Sequence, residues 1–181
     1  MLIRKTIEWK ETETKLSDLK PFEVRLLKRA IEIAREAKER GNHPIGCLLA
    51  DAQGNILLEQ GNEEVTGNGN CTAHAETELM RRASQRYSKD EMAELTMYNV
   101  AEACAMCTGA MYWGNLGRTV YICRESELKR VTGDDPRNPT LDLPSRAVIA
   151  CGQKPMQIVG PILELEPEFL SLHEGYWTPS A

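Results

Sequence analysis

Two short stretches of the sequence are the most informative: Thr-Ala-His-Ala-Glu at 72–76 and Ala-Cys-Ala-Met-Cys at 103–107. Together they offer one imidazole and two thiols as metal ligands, with a carboxylate two residues after the histidine. Catalytic zinc sites commonly use three protein ligands and keep a fourth position for water, whose pKa the metal lowers to about 7. The pattern therefore predicts one zinc site in which Glu76, two residues after His74, takes the proton of that water.

The pattern is specific only as a whole. His-x-Glu arises by chance at many helix starts, and Cys-x-x-Cys also occurs in structural zinc sites and redox pairs. The two in this order and at this separation favour a catalytic site with His74, Cys104 and Cys107 as zinc ligands and Glu76 as the catalytic residue. A structural zinc site, a dithiol and an inactive enzyme are the alternatives.

The spacing of the two cysteines also predicts local structure. Residues three apart share one face of a helix, so Cys104 and Cys107 lie together if a helix begins at Cys104. The N-terminus of a helix favours negative charge and helps to hold thiolates. His74 and Glu76 likewise fall in the first turn of a predicted helix. We therefore expect two facing helix starts to build the whole metal site.

Hydrophobic spacing and turn signals divide the chain into alternating helices and strands. The predicted helices are 21–40, 74–89, 104–113 and 161–170, and the predicted strands are 47–50, 56–58, 95–100, 118–123 and 156–159. Residues 132–144 are predicted to be a long loop. This order predicts an α/β fold, a three-layer α/β/α sandwich around a five-stranded mixed sheet, in which an antiparallel hairpin precedes parallel strands.

Length, charge and cysteine content limit the possible functions. The 181 residues suggest one domain over 1–181, with an N-terminal arm at 1–17 and a C-terminal helix and tail at 166–181. The net charge of -5 argues against a general polyanion binder, and six cysteines in this length do not indicate a disulfide scaffold. Neither a signal peptide nor an apolar run of about 20 residues is visible. We therefore expect a cytoplasmic protein that does not span a membrane.

The motifs resemble those of the cytidine deaminase superfamily, in the branch of guanine deaminases, cytosine deaminases and bacterial tRNA adenosine deaminases. The resemblance covers residues 20–165 and rests on Pro-Ile-Gly-Cys at 44–47, on 72–76 and on 102–110. It implies a cytidine-deaminase-like fold, a Zn2+ cofactor and a homodimer. It also implies that Glu76 moves protons between the water, a ring nitrogen and the leaving ammonia. Backbone N–H groups at Ala75 and Cys104 would contact the substrate's oxygen or the zinc hydroxide.

A finer resemblance, to guanine-deaminase-like enzymes, implies further substrate-binding residues. Trp113 would lie near the pocket, and Asp135 would help to hold the base or the leaving group. The aromatic tail at 176–177 would close over the site of a neighbouring subunit. Packing at a dimer interface or in the core is the alternative for Trp113, and docking on the surface is the alternative for the tail.

The sequence departs from the family pattern near the substrate. Ala103 stands where a proline usually precedes the first cysteine, and Ile45 stands where guanine deaminases have a pocket aromatic residue. The substrate-binding asparagine, eleven residues before the zinc histidine, falls at Glu63. Because an ionised glutamate only accepts hydrogen bonds, we expect Glu63, with Asp135, to select an amino-rich heterocycle. The alternative is that Glu63 points to solvent and Asn62 replaces the asparagine.

These observations favour a zinc-dependent hydrolytic deaminase that acts on a small-molecule amino heterocycle, either a free base or a small nucleoside. A tRNA adenosine deaminase is the second hypothesis, although such an enzyme needs basic residues to hold phosphates and the C-terminal segment is acidic. A metal-stabilised binding protein without activity is the third hypothesis. Glu76 argues against it, because a structural metal site needs no proton carrier.

Overall fold

The computed structural model describes residues 12–177, and its core is a five-stranded sheet with the strand order β2-β1-β3-β4-β5. The strands are β1 Gly46–Ala50, β2 Ile56–Gly61, β3 Thr96–Ala101, β4 Arg118–Cys123 and β5 Gln157–Val159. Strand β1 pairs antiparallel with both β2 and β3, whereas β3, β4 and β5 run parallel. The predicted five-stranded mixed sheet is therefore confirmed.

Helices cover both faces of this sheet. They are α1 Pro21–Glu39, α2 Ala75–Ala83, α3 Lys89–Ala93, α4 Ala105–Trp113, α5 Glu125–Thr132, α6 Ser145–Ala150 and α7 Glu166–Leu170. Alternate residues of β1 point to opposite faces, so Leu48 belongs to the core beneath α1 and Leu49 to the core beneath α2 and α4. The sheet lies between two helical layers, as predicted.

The helix predicted at 74–89 is two helices in the structure. Helix α2 ends at Ala83, and α3 begins after Ser88. The hydroxyl of Ser88 accepts a hydrogen bond from the backbone N–H of Glu91, and the carboxylate of Glu91 accepts one from the backbone N–H of Ser88. This reciprocal pair is a capping box, which starts a new helix at this point. The helix predicted at 161–170 is likewise shorter, because its regular part is only α7.

Two helices border the segment predicted as a loop. Helix α5 follows β4 directly and α6 begins after Pro144, while residues 133–144 form neither a helix nor a strand. The described part of the N-terminal arm lies against the C-terminal segment, where the backbone N–H of Thr14 donates to the carbonyl of Pro161 at 3.1 Å. Between residues 12 and 177, no helix combines the length and the apolar character needed to cross a bilayer.

Candidate active site

The predicted metal ligands meet where α2 and α4 begin. His74 is the N-cap residue of α2 and Cys104 is the N-cap residue of α4. The Nδ1 atom of His74 lies 3.7 Å from Sγ of Cys104 and 3.6 Å from Sγ of Cys107. One donor atom from each of the three residues lies within 4.8 Å of the other two. The two facing helix starts thus form a cluster of one imidazole and two thiols.

The three side chains of this cluster differ in charge. A hydrogen bond with Cys107, together with His74, lowers the pKa of Cys104 to about 4. The same hydrogen bond, added to burial, raises the pKa of Cys107. Burial alone would lower the pKa of His74, but the hydrogen bond with Cys104 and the charge of Glu76 raise it to about 9. Without a metal, the cluster therefore holds a thiolate, a thiol and an imidazolium at neutral pH.

Glu76 lies in the first turn of α2, beside the ligands. Its side chain is 3% exposed, and its Oε2 atom lies 3.4 Å from Sγ of Cys107. Burial, and next the thiolate of Cys104, raise the pKa of Glu76, although the charge of His74 opposes this. A carboxyl group with a raised pKa is suited to both taking and giving a proton near neutral pH.

Glu64 contacts His74 from the side opposite the two cysteines. Its Oε1 atom lies 3.5 Å from Nε2 of His74, and the same oxygen accepts a 2.8 Å hydrogen bond from the side-chain amide of Asn62. A carboxylate on the second nitrogen of a metal-binding histidine fixes the ring and raises its basicity. Glu64 is thus placed to orient His74 so that Nδ1 faces the thiols.

We expect the Glu64→Gln variant to bind zinc about 10-fold more weakly than the wild type, because glutamine keeps the shape but removes the negative charge beside Nε2. Competition with a chromogenic chelator would measure the affinity. Glu63→Gln is the matched control, since Glu63 is exposed and lies one residue away. Equal affinities for the two variants would show that Glu64 does not support the metal site.

A cavity opens over these groups. Its lining includes six titratable side chains besides Cys104, which are His43, Glu64, His74, Glu76, Glu102 and Glu125. The amides of Asn62 and Asn138 and the apolar side chains of Ile45 and Trp177 line it as well. Within the described part of the chain, no lysine or arginine lines this cavity. The cavity therefore offers a ligand acceptors, neutral donors and the imidazolium of His74, but no lysine or arginine side chain.

Some of the predicted substrate-binding residues lie at the cavity in the structure, and others do not. Ile45 lines the cavity, and Ala75 is buried at the first position of α2. Glu63 is exposed and is not among the residues that line the cavity, so the structure does not bring it together with the other predicted site residues. Asn62 takes the place expected for the asparagine, twelve residues before His74 instead of eleven. The loop between them is one residue longer than the family spacing assumes.

Trp113 and Asp135 do not reach the cavity. Trp113 is 75% exposed at the end of α4. The carboxylate of Asp135 accepts three hydrogen bonds, 3.0, 3.2 and 2.6 Å long, from the guanidinium of Arg137, which lowers its pKa to about 2. Arg137 in turn donates to the backbone carbonyl of Tyr176. Asp135 therefore supports the tail and does not contact the cavity itself.

The tail covers the site of its own chain. The indole of Trp177 lines the cavity and donates a 2.7 Å hydrogen bond to Nδ1 of His173. Its ring lies 4.9 Å from that of His43, whose Nδ1 is 3.0 Å from the hydroxyl of Tyr176. These aromatic contacts lie within one chain, and closure over a neighbouring subunit stays a prediction. Residues 178–181 lie outside the described residues.

Our sequence analysis missed three carboxyl groups of the cavity, which are Glu64, Glu102 and Glu125. Glu102 follows β3, and Glu125 follows β4 after one intervening residue. Because β3 and β4 are parallel neighbours, their carboxyl ends meet at one edge of the sheet, where open α/β sheets bind ligands. A carboxyl group just after a predicted parallel strand could therefore have been recognised in the sequence as a candidate site residue.

The motif residues and the fold agree with a known family. The sequence model of the family described as the cytidine and deoxycytidylate deaminase zinc-binding region matches residues 21–123, which is more than half of the chain and includes His74, Cys104 and Cys107. The chain belongs to the cytidine and deoxycytidylate deaminase family.

Relatives of this family member carry different substrates in their names. The chain is 29% identical over 161 residues to a probable cytosine deaminase of Schizosaccharomyces pombe, a match that covers 89% of this chain and 96% of the relative. It is 30% identical over 100 residues to a tRNA-specific adenosine deaminase of Haemophilus influenzae, which covers 55% of this chain and 57% of the relative. A guanine deaminase structure from Nitrosomonas europaea shares the fold, with a TM-score of 0.65, 20% identity, and coverage of 87% of this chain and 93% of the other.

Proposed function

We propose that this protein is a zinc-dependent hydrolytic deaminase of a small, uncharged, nucleobase-like amino heterocycle. The observation that carries the proposal is the single cavity in which the His74, Cys104 and Cys107 cluster, the buried Glu76 and the amide of Asn62 meet. The similarity to a probable cytosine deaminase over nearly the full length of both chains supports this substrate class.

The donor set fits zinc. Two thiols and one imidazole are soft and borderline ligands of the kind that tetrahedral zinc sites use, and three ligands leave one position open. The N–H groups at the starts of α2 and α4 favour the negative charge of the thiolates. Bound there, zinc would supply a water molecule that loses its proton near pH 7.

The protein's own residues would carry the proton transfers. Glu76 would take the proton of the attacking water and give it to the ring nitrogen beside the amino-bearing carbon. It would then take the second proton of the water's oxygen and give it to the departing amino group. The carbon gains a C–O bond, the C–N bond breaks and ammonia leaves, so atoms and charges balance. The Asn62 amide, which offers both a donor and an acceptor, would hold the ring.

The lining of the cavity favours a free base over RNA as the substrate. An enzyme that holds a nucleic acid needs cations for the phosphates. Within the described part of the chain, neither a lysine nor an arginine lines this cavity, so it offers no such side chain to a phosphate. We therefore place a tRNA substrate second, despite the named relative. The predicted homodimer stays a proposal, for which the exposed Trp113 is a surface to examine.

Ammonia release by the zinc-loaded protein tests the proposal. We expect turnover of at least one small heterocycle from a panel of cytosine, isocytosine, guanine, adenine and aminotriazines, at a rate on the order of 1 per second or faster. A tRNA anticodon stem-loop is included for comparison. Turnover of the stem-loop alone would overturn the proposal in favour of RNA editing. No turnover of any compound, with zinc bound, would favour a binding protein.

A further inference from the structure

Glu125 has a buried carboxyl group that the proposed chemistry does not use. It is 7% exposed and lines the cavity of the metal site from the first position of α5. Its backbone N–H donates to Glu102, but its carboxyl group has no hydrogen bond or ion pair with any residue between 12 and 177. Because buried polar groups are nearly always partnered, an unpartnered one that faces a cavity points to a ligand.

The neighbouring carboxyl group of Glu102 provides a contrast. Its Oε1 atom accepts 2.9 and 2.7 Å hydrogen bonds from the backbone N–H and the hydroxyl of Ser145, and its Oε2 atom accepts the N–H of Glu125 at 3.4 Å. Glu102 therefore joins α6 to α5 and is satisfied within the protein. Of these two buried carboxyl groups after β3 and β4, only that of Glu125 has oxygens without a hydrogen bond.

The surroundings of Glu125 favour its neutral form. Burial, followed by the charges of Cys104 and Glu76, raises the pKa of Glu125 to about 8. A neutral carboxyl group donates one hydrogen bond and accepts another through adjacent oxygens. The matching ligand edge has an acceptor next to a donor.

We propose that Glu125 binds the substrate at a second amidine edge, meaning a ring nitrogen next to an amino-bearing carbon other than the carbon that reacts. The carboxyl O–H donates to the ring nitrogen, and the carbonyl oxygen accepts from the amino group. If the proton moves to the ring nitrogen, the same atoms meet as carboxylate and amidinium, and both hydrogen bonds remain. The proposal rests on the proposed function, and it narrows the substrate to heterocycles with two or more amino-bearing ring carbons.

Pairs of compounds that differ by one amino group test this selectivity. We would compare kcat/KM of the zinc-loaded full-length protein for 2,4-diaminopyrimidine against 4-aminopyrimidine, and for 2,6-diaminopurine against adenine. The monoamino compounds keep a ring nitrogen but have no second amino group to donate to Glu125, so we expect the wild type to prefer each diamino compound by about 10-fold or more. A preference below about twofold in the wild type would overturn the proposal, whatever the variants do.

Two substitutions of Glu125 separate hydrogen bonding from packing. Glu125→Met keeps the unbranched shape but removes both hydrogen bonds, and we expect it to lose about 10-fold of the preference. Glu125→Gln keeps a donor beside an acceptor and is expected to retain most of it. Glu127→Met, on the same helix and paired with Arg130 at the surface, is the matched control. An unchanged preference for the diamino compounds in Glu125→Met would overturn this proposal. If that variant still released ammonia, the proposed function would not be affected.

Calorimetry without turnover distinguishes the two failures. In the Glu76→Gln background, we expect 2,4-diaminopyrimidine to bind about 10-fold more weakly once Glu125→Met is added. Binding that depends on Glu125, in a protein whose wild type releases no ammonia, would support this inference and contradict the proposed function. Absence of both binding and turnover for all four compounds would overturn both.

Discussion

The Glu76→Gln variant is expected to bind zinc as tightly as the wild type and to release ammonia about a thousandfold more slowly. Glutamine keeps the size of the side chain, and the donor cluster is complete without Glu76. The amide cannot take a proton from water and return it to the ring nitrogen or the amino group. The loss should fall on kcat more than on KM, since the proton transfers occur after the substrate is bound.

A neighbouring glutamate provides the matched control for this experiment. Glu78 lies two residues further along α2 and forms a 2.8 Å ion pair with Arg81 outside the cavity. Glu78→Gln removes the same charge from the same helix and should retain nearly full activity. Zinc content would be measured for both variants. Activity of Glu76→Gln within 10-fold of the wild type would show that another group carries the proton.

The metal cluster could be predicted from the sequence because its geometry is local. A helix start fixes the relative positions of Cys104 and Cys107, and another helix start does the same for His74 and Glu76. Only the contact between α2 and α4 depends on tertiary structure. We expected that contact because the two motifs together supply the ligands of one metal site. The turn before Cys104 has lost the usual proline, but the hydroxyl of Thr108 donates to the carbonyl of Ala103 at 2.9 Å and holds that turn.

The substrate side of the cavity was harder to predict because loop length decides it. Counting eleven residues back from His74 selects Glu63, yet the added loop residue moves Asn62 into the cavity and turns Glu63 outward. A better signal lay at the strand end, since Asn62 directly follows β2 and its backbone N–H donates to the carbonyl of Ile45. The position of a residue next to a strand end does not depend on the length of the loop that follows.

Trp113 and Asp135 show the limit of transferring residues from a resemblance. Each matches a family motif in sequence, but the exposed end of α4 and the course of residues 133–144 place them away from the cavity. The contacts that fix Asp135 run through Arg137 to Tyr176, about forty residues later in the chain. No short-range pattern encodes such a contact, so it becomes visible only in the folded chain.

Zinc is expected to raise the melting temperature by about 10 °C when it exceeds its dissociation constant about a thousandfold, because ligand binding to the native state then adds about 4 kcal/mol. Cys107→Ser should abolish this response together with the activity, since it removes a buried thiolate ligand. Cys47→Ser is the matched control, because Cys47 is equally buried but lies in β1, away from the donor cluster. An undiminished zinc response in Cys107→Ser would exclude Cys107 as a ligand.

The same titration should release about two protons per zinc at pH 7, because zinc takes thiolates and a neutral imidazole. Cys104 is already ionised, whereas Cys107 keeps its proton and His74, with a pKa of about 9, must lose one. Zinc binding should therefore weaken about a hundredfold for each unit by which the pH falls below 9, until Cys104 is also protonated near pH 4. The stabilisation by zinc is thus present at high pH and lost as the pH falls. Calorimetry in buffers of different ionisation enthalpy counts the protons, and a release below one would contradict the proposed ligand set.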